Sequence, residues 1–500
     1  MLTLRVYYLK FMKLRETDLM LRGDRIIEHV PSIKDKALRI NLNKDIYGTF
    51  AEIGAGQETV RHFFRSGGSS NTIAKAMSAY DKDFSDAIYG VEDDGRYVTE
   101  SRLKKMLSWE VKLIENRLKR DKHPGKIFFS YANTVATIDF AKQFKGHGWV
   151  GIKFQLEPDE DYNEILLHIR FKENDARLQQ ETLGILGVNL IYGAFYKHND
   201  PKKLLRYLYD HLDKDQLEID TINFSGPRFA QVDNRLMSLQ LVKNGMTDAV
   251  MFGPDGNNIL PAAILYKKNI LALRGSFRPV TKVNMDMYEK SYEMFLAENK
   301  VDPEKALVIF EITLSNLRSD GEIDERDFMD RAQLLCSLGQ TVMISNFQEY
   351  YKVVEYFSSY TKARMGLAMG VSNLIDIFDE KYYRHLSGGI LEAFGKLFYR
   401  DLKVFLYPMK ENGEVIDSEN LKVHPRMKEL YKFFKFNGKV IDIKDIDRNN
   451  LEIFSREVLK MISKGRTGWE QMLPAGIAEV IKQHKLFGYD PAKIIEQPAS

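Results

Sequence analysis

From about residue 230 to 410, short apolar runs alternate with longer amphipathic segments. The helical pattern VDNRLMSLQLVKNG leads into the strand DAVMF and the loop GPDGNN, and ILPAAILYKK leads into ILALRG and the loop SFRPVT. ALVIFEITL precedes DERDFMDRAQLLCSLG, whose Gly339 suits a helix C-cap. TVMIS then carries the loop NFQ and the helix EYYKVVEYFSSYT, and RMGLAMG carries VSN. Strands separated by helices of this length pair in parallel through βαβ crossovers. Their continuous apolar runs suit strands covered on both faces. The pattern predicts an α/β fold of mainly parallel strand–helix units, a Rossmann-like open sheet, with helical N- and C-terminal portions.

Between 126 and 225 the period differs. KIFFSYANT reads as a strand entering a polar loop, and GWVGIKFQL and NEILLHIRF read as an adjacent pair joined by EPDEDY. Helices follow over 175–196 and 201–212, then the strand QLEIDTINFSG, which ends in a turn at Ser225-Gly226-Pro227. Residues 13–125 read as mostly helical: SRLKKMLSWEVKLIENRLKR places Leu103, Met106, Leu107 and Val111 at helical spacing. The exception is a glycine-rich turn within 46–65. Beyond Pro408 and KENGEVIDSEN the pattern returns to helices. The expected division is therefore 13–125, helical; 126–410, an α/β core with a subdivision near 226; and 411–500, helical. Residues 1–11 read as an extension ahead of Met12, an alternative start.

Length supports more than one domain, because single hydrophobic cores stop growing at about 250–300 residues and the chain has 500. Charge adds little: 73 Lys and Arg face 70 Asp and Glu, a net of +3. That near-balance gives no reason to expect nucleic acid or an anionic membrane as partner. The one cysteine, Cys336, excludes an intrachain disulfide and a thiolate metal cluster within the chain. It suits a reducing compartment and reads as a buried, inert thiol. The longest apolar stretch, LGILGVNLIYGAFY over 183–196, is shorter than the roughly 20 residues of a membrane span and is broken by glycines, so it reads as a buried helix. The N-terminus lacks the pattern of a secretory signal, and a cytoplasmic location is expected.

Candidate chemistry falls in two places. In GTFAEIGAGQETVRHFFR, an apolar run ends at Glu52-Ile53, Gly54-Ala55-Gly56-Gln57 follows, and a helix begins near Glu58. Such a turn lets a ligand approach the backbone at the positive end of a helix, so Gly54, Gly56 and Gln57 are candidate cofactor contacts. EIGAG resembles the first motif of S-adenosylmethionine-dependent methyltransferases, with Gln57 where a third glycine is usual. A structural turn is the competing reading. Gly67-Gly68-Ser69-Ser70-Asn71, ahead of an expected helix, is a second glycine-rich connection without the ending of a P-loop.

The other place is the set of strand-end loops of the regular α/β part, since ligands of open parallel sheets gather at the carboxyl ends of the strands. These loops offer Asp255, Asn257, Arg274, Ser276, Arg278, Thr281, Asn316, Asn346 and Asn373. Arg274 and Arg278, around Gly275-Ser276, could hold an anion in a planar fork, with Ser276, Asn346 and the upstream Arg228 as further substrate contacts. Pairing with surface carboxylates competes with that reading, and Asp233 near Arg228 equally suits a helix cap. Glu311 stands inside the apolar run VIFEITL. A buried carboxylate needs a partner or a raised pKa, so Glu311 is the foremost proton-transfer candidate, with Asp255 second and Glu392 a weaker third. A structural ion pair between Glu311 and an arginine competes. The 10 histidines form no HxH or HxxxH pair, so no metal site is expected, and no serine elbow of the GxSxG type occurs.

Taken together, AEIGAGQETVRHFF, SAYDKDFSDAIYG, DAVMFGPDG, RGSFRPVT and GGILEAFGKLF resemble an uncharacterised family of bacterial proteins of about this length. The resemblance covers nearly the whole chain and implies little about chemistry. Members carry the names nicotinate-nucleotide adenylyltransferase or TonB-dependent receptor. The first implies an HxGH-type phosphate motif, and Gly146-His147-Gly148 lacks its second histidine. The second implies barrel strands and a signal peptide, neither visible here.

The reading that results is a cytosolic enzyme, transferase-type, acting on a small anionic, phosphorylated or nucleotide-like substrate, with no cofactor specified. Two alternatives stand beside it. One is a scaffold or homo-oligomer built through EYYKVVEYFSSY and the C-terminal helices; the other is a methyltransferase.

Overall fold

The computed structural model describes residues 19–22, 25–28, 30–93, 95–319 and 322–493; Met12 and the extension before it lie outside the described residues. The chain forms two compact units that meet between Val232 and Asp233, a few residues beyond the Gly226 turn.

The first unit is built on a six-stranded sheet. Its strands are β1 (Ile46–Gly54), β2 (Ile73–Ala79), β3 (Ile127–Ala136), β4 (His147–Phe154), β5 (Asn163–Phe171) and β6 (Leu217–Ser225), in the order β2-β1-β3-β4-β5-β6. β1 is parallel to both neighbours, and the remaining pairs are antiparallel. The helical reading of 13–125 is thus corrected in two places. GTFAEIG is a central strand, and the residues after Gly67-Gly68 form a short 3-10 turn and an edge strand, not a helix. The strands on either side of residue 126 pair along their whole length, so the break expected there lies inside one sheet. β1 escapes sequence reading because it is covered on both faces, which removes the period-2 alternation.

Phe50 of β1 meets Phe63 of helix Glu58–Ser66 at 5.2 Å, and Phe129 of β3 meets Phe195 of helix Ala176–Tyr196 at 5.7 Å. The other face receives helix Glu100–Arg117, whose Leu103 and Leu107 close on Gly151. The apolar stretch 183–196 is a buried helix, as its all-round hydrophobicity demands. Gly187 sets how close it lies: a Cβ there would fall 2.3 Å from Thr59 Oγ1 and 2.6 Å from the Tyr131 hydroxyl.

The second unit carries an eight-stranded sheet. Its strands are β7 (Ala249–Phe252), β8 (Asn258–Ile259), β9 (Asn269–Arg274), β10 (Ala306–Thr313), β11 (Thr341–Ser345), β12 (Met365–Gly370), β13 (Lys403–Tyr407) and β14 (Val440–Asp442). The order is β8-β7-β11-β10-β9-β12-β13-β14. The six strands from β9 to β14 are parallel. From β9 the chain adds β10 and β11 on one side, then returns to add β12, β13 and β14 on the other. This is the doubly wound Rossmann order, and the mainly parallel α/β class read from the sequence is the fold observed. Two details differ. β7 runs antiparallel to β11, and β14 comes from the stretch after 411 that reads as wholly helical. Helix Tyr350–Ser358 packs into this unit's own core: Tyr350, Tyr351, Val353, Val354 and Phe357 are buried, and Tyr356 is partly buried against the same core.

Candidate functional site

In the second unit, strand order reverses between β9 and β12. Loops leaving neighbouring strands diverge at such a point and leave a crevice outside the carboxyl ends. A cleft of about 370 Å³ lies there. Its lining comes from the ends of four strands: Arg274, Gly275 and Ser276 after β9; Thr313, Ser315 and Asn316 after β10; Gln348 and Tyr350 after β11; Asn373 and Asp376 after β12. Glu349, Ile377, Tyr382, Tyr383 and Arg456 complete it.

A chain of polar contacts forms its floor. Glu311 is 1% exposed and Arg274 7%. Arg274 donates from Nε to Glu311 Oε2 at 2.8 Å and from Nη2 to Oε1 at 2.9 Å, a two-pronged pair between adjacent strands. Ser345 donates to the same carboxylate at 2.6 Å, and Arg274 Nη1 reaches the Gln348 carbonyl at 2.9 Å. The guanidinium stacks on Tyr350, 4.3 Å from the ring centre, and Asn373 Nδ2 donates to the Tyr350 hydroxyl at 2.6 Å. Burial pushes that hydroxyl up to about 12, against the pull of Arg274, so it stays protonated. Three of the five N–H donors of Arg274 are engaged; of the other charged residues lining the cleft, Glu349 pairs with Lys352 at 2.8 Å, which leaves Arg456 and Asp376. Neither makes an ion pair with a described residue.

The residues singled out in the sequence separate. Arg274, Ser276, Asn316 and Asn373 share the cleft, and Asn346 lines a recess of about 60 Å³ that shares Thr313, Ser315 and Gln348 with it. Glu311 lies beneath, with both oxygens engaged, which is the ion-pair alternative for it. Arg278 leaves the group: its Nε is 2.5 Å from Asp327, a carboxylate that also binds Arg331. Asp255 is absent for a topological reason. Because β7 is antiparallel to β11, its carboxyl end points to the opposite end of the sheet. There Asp255 closes a turn on the Asn257 backbone and side chain at 3.0 and 2.8 Å. Thr281 and Asp233 cap helices, Glu392 holds the Gly388 amide at 2.9 Å, and burial pushes the Cys336 thiol up to about 11. Sequence reading missed Tyr350, Asp376, Tyr382, Tyr383 and Arg456. Asp376 stands one helical turn beyond Asn373, a spacing visible in the sequence; Arg456 carries no local signal.

The remaining candidates belong to the first unit. Arg228 is a surface residue, bonded at 2.7 Å to both Glu157 and Glu160. The Gly54–Gln57 turn has a packing explanation. A Cβ on Gly54 would lie 2.0 Å from the Val135 carbonyl oxygen, and one on Gly56 would lie 2.0 Å from Asn133 Oδ1. Gln57 folds back on the Gly54 carbonyl at 2.6 Å. The glycines let the turn lie on β3, and the Asn133 amide occupies the space a ligand would need beside Gly56. Next to it, Glu52 is 2% exposed. Burial pushes its carboxyl up to about 8; Glu58 adds to this and a 3.2 Å hydrogen bond from Ser78 opposes it. Across the sheet, Asp220 accepts from His168 Nδ1 at 2.6 Å, and His168 Nε2 faces His147 Nδ1 at 3.2 Å. Among the described residues no group of three or more His, Cys, Asp or Glu is arranged to hold a metal, and no helix is long and apolar enough to cross a membrane.

No family model matches the chain, and no curated protein matches it. Two solved structures are similar to part of the chain at low scores. The competence-damaged protein (CinA) superfamily protein of Enterobacter cloacae is 12% identical over 35% of this chain and 99% of its own, with a TM-score of 0.25. The competence/damage-inducible protein CihA of Agrobacterium tumefaciens is 15% identical over 36% and 98%, with a TM-score of 0.23. At such scores the likeness says nothing about the chemistry of this chain.

Proposed function

We propose that the second unit is the substrate-binding half of an enzyme acting on a small nucleotide-like molecule that carries an anionic group. One observation carries this reading: the cleft opens at the carboxyl ends of β9 and β12, where the strand order reverses. Its lining suits the parts of such a molecule. Tyr382 and Tyr383 offer aromatic faces, Ser276, Ser315, Asn316 and Asn373 offer hydroxyls and amides, and Arg456 offers an uncompensated cation. The neutral Arg274–Glu311 pair positions the floor. With Glu311 engaged, the proton-transfer role falls to Asp376, the unpaired carboxylate on the wall. The methyl-transfer reading loses its basis with the glycine turn. Self-association keeps one observation in its favour, Phe433 and Phe436 at 59% and 91% exposure, and light scattering decides it.

A thermal-shift screen of nucleotides, sugar phosphates and organic acids tests the proposal, followed by calorimetry on the hits. Arg456→Ala should weaken a hit by about tenfold or more, the loss expected when a charge-assisted contact goes, with unchanged melting. No stabilisation by any compound, or hits indifferent to both Arg456→Ala and Asp376→Asn, overturns it.

A further inference from the structure

The opposite end of the same sheet carries a second concavity. At the amino ends of β12 and β13 lies a cleft of about 450 Å³ lined by Lys300, Lys362, Ala363, Arg364 and Arg400. Four of these five are cations, and none of the five lines the cleft at the carboxyl ends.

The carboxylate at this place is already shared. Glu298 takes Arg364 Nη2 at 2.9 Å and Lys403 Nζ at 2.6 Å. Arg364 is buried, its side chain 5% exposed, so its charge is fixed in the wall. Lys300, Lys362 and Arg400 have no carboxylate within ion-pair distance among the described residues. Arg400 is further held by its backbone, which takes the left-handed conformation at φ 51°, and by a bond from Nη1 to the Lys362 carbonyl at 3.1 Å.

An ordinary explanation for cations here is the helix dipole, since helices of a doubly wound sheet end at the amino edges of the strands and favour positive charge. That effect falls off within the last turn. Lys300, Lys362 and Arg400 stand beyond the ends of helices Lys282–Leu296, Tyr350–Ser358 and Gly389–Leu397, where chain ends from three helices converge on one concavity. Like charges gathered there repel one another and focus a positive potential that a bound anion relieves. A singly charged ligand would leave most of that charge uncompensated.

We propose that this cleft is a binding site for a compact anion carrying two or more phosphoryl groups, separate from the substrate cleft. Arg364 and Arg400 would contact phosphoryl oxygens through planar N–H pairs, and Lys300 and Lys362 would act as mobile point charges at the rim.

Calorimetry on the full chain with inorganic pyrophosphate, at near-physiological salt, tests it. One pyrophosphate should bind per chain. The triple variant Lys300→Ala, Lys362→Ala, Arg400→Ala removes only exposed side chains and should bind at least about tenfold more weakly, whereas Arg456→Ala should bind as the parent does. A parallel titration with ATP separates the sources of the anion: loss of ATP binding in the triple variant assigns the site to a nucleotide's phosphate tail, and its retention assigns it to a free polyphosphate. Absence of pyrophosphate binding overturns the proposal, as does binding unchanged in the triple variant or displaced fully by sulfate at equal ionic strength.

Discussion

Replacing Glu52 by glutamine removes a carboxyl group that the fold keeps protonated. In the unfolded chain the group titrates near 4.5, and in the folded first unit burial moves it to about 8. A folded value above the unfolded one contributes stability that is complete below the unfolded value and is lost as pH rises through the folded one. Each unit of difference corresponds to about 1.4 kcal/mol. The wild-type chain should therefore lose on the order of 5 kcal/mol of first-unit stability between about pH 4.5 and about pH 8 from this group alone. Glutamine is isosteric with the protonated acid and does not titrate. Glu52→Gln should match wild type below about pH 4.5 and exceed it progressively towards about pH 8, with the gain levelling off above. Urea unfolding followed by tryptophan fluorescence reads this, because Trp109 and Trp149 belong to the first unit and Trp149 is buried. Parallel wild-type and variant curves across the pH range would refute the reasoning, since Glu52 would then carry its charge in the folded state.

Three further outcomes follow from the geometry. Arg274→Met leaves Glu311 charged and buried, which should lower second-unit stability by about 3–5 kcal/mol, and adding Glu311→Leu should restore much of it; urea midpoints of single and double variants check this. Gly56→Ala places a Cβ 2.0 Å from the Asn133 amide and should lower the first unit's urea midpoint by the equivalent of about 1–3 kcal/mol. Burial, reinforced by His168, pushes His147 down to about 4, so its ring resonances in NMR should stay those of the neutral form down to about pH 5.

Local pattern carried the class of the fold because each part of that reading rests on neighbouring residues. The alternation of strand and helix over 230–410, the pair GWVGIKFQL and NEILLHIRF, the buried helix over 183–196 and the buried thiol of Cys336 all follow from periodicity or composition within one element. Site residues were legible as far as they sit at the end of a parallel strand. Arg274, Ser276, Asn316 and Asn373 meet that condition and share the cleft. Asp255 fails it because direction is not written in a strand's own sequence: DAVMF is apolar throughout and pairs equally well either way, and only its register against Thr341–Ser345 reverses it.

The rest was decided by contacts between residues far apart in the chain. GTFAEIG becomes a strand because Ile73–Ala79 and Ile127–Ala136 lie on either side of it. Glu311 becomes a structural partner because β9 sets Arg274 beside it, although its apolar context alone suited a proton donor equally well. Arg456 reaches the cleft from a helix far downstream, and Lys300, Lys362 and Arg400 converge from three helix ends. The sequence by itself determined which segments are strands and helices where one face differs from the other, because burial of that face leaves a local imprint. Strand order, strand direction and the pairing of charges were left to the tertiary structure, because they depend on which distant surface removes a segment from water, and that leaves no mark on the segment alone.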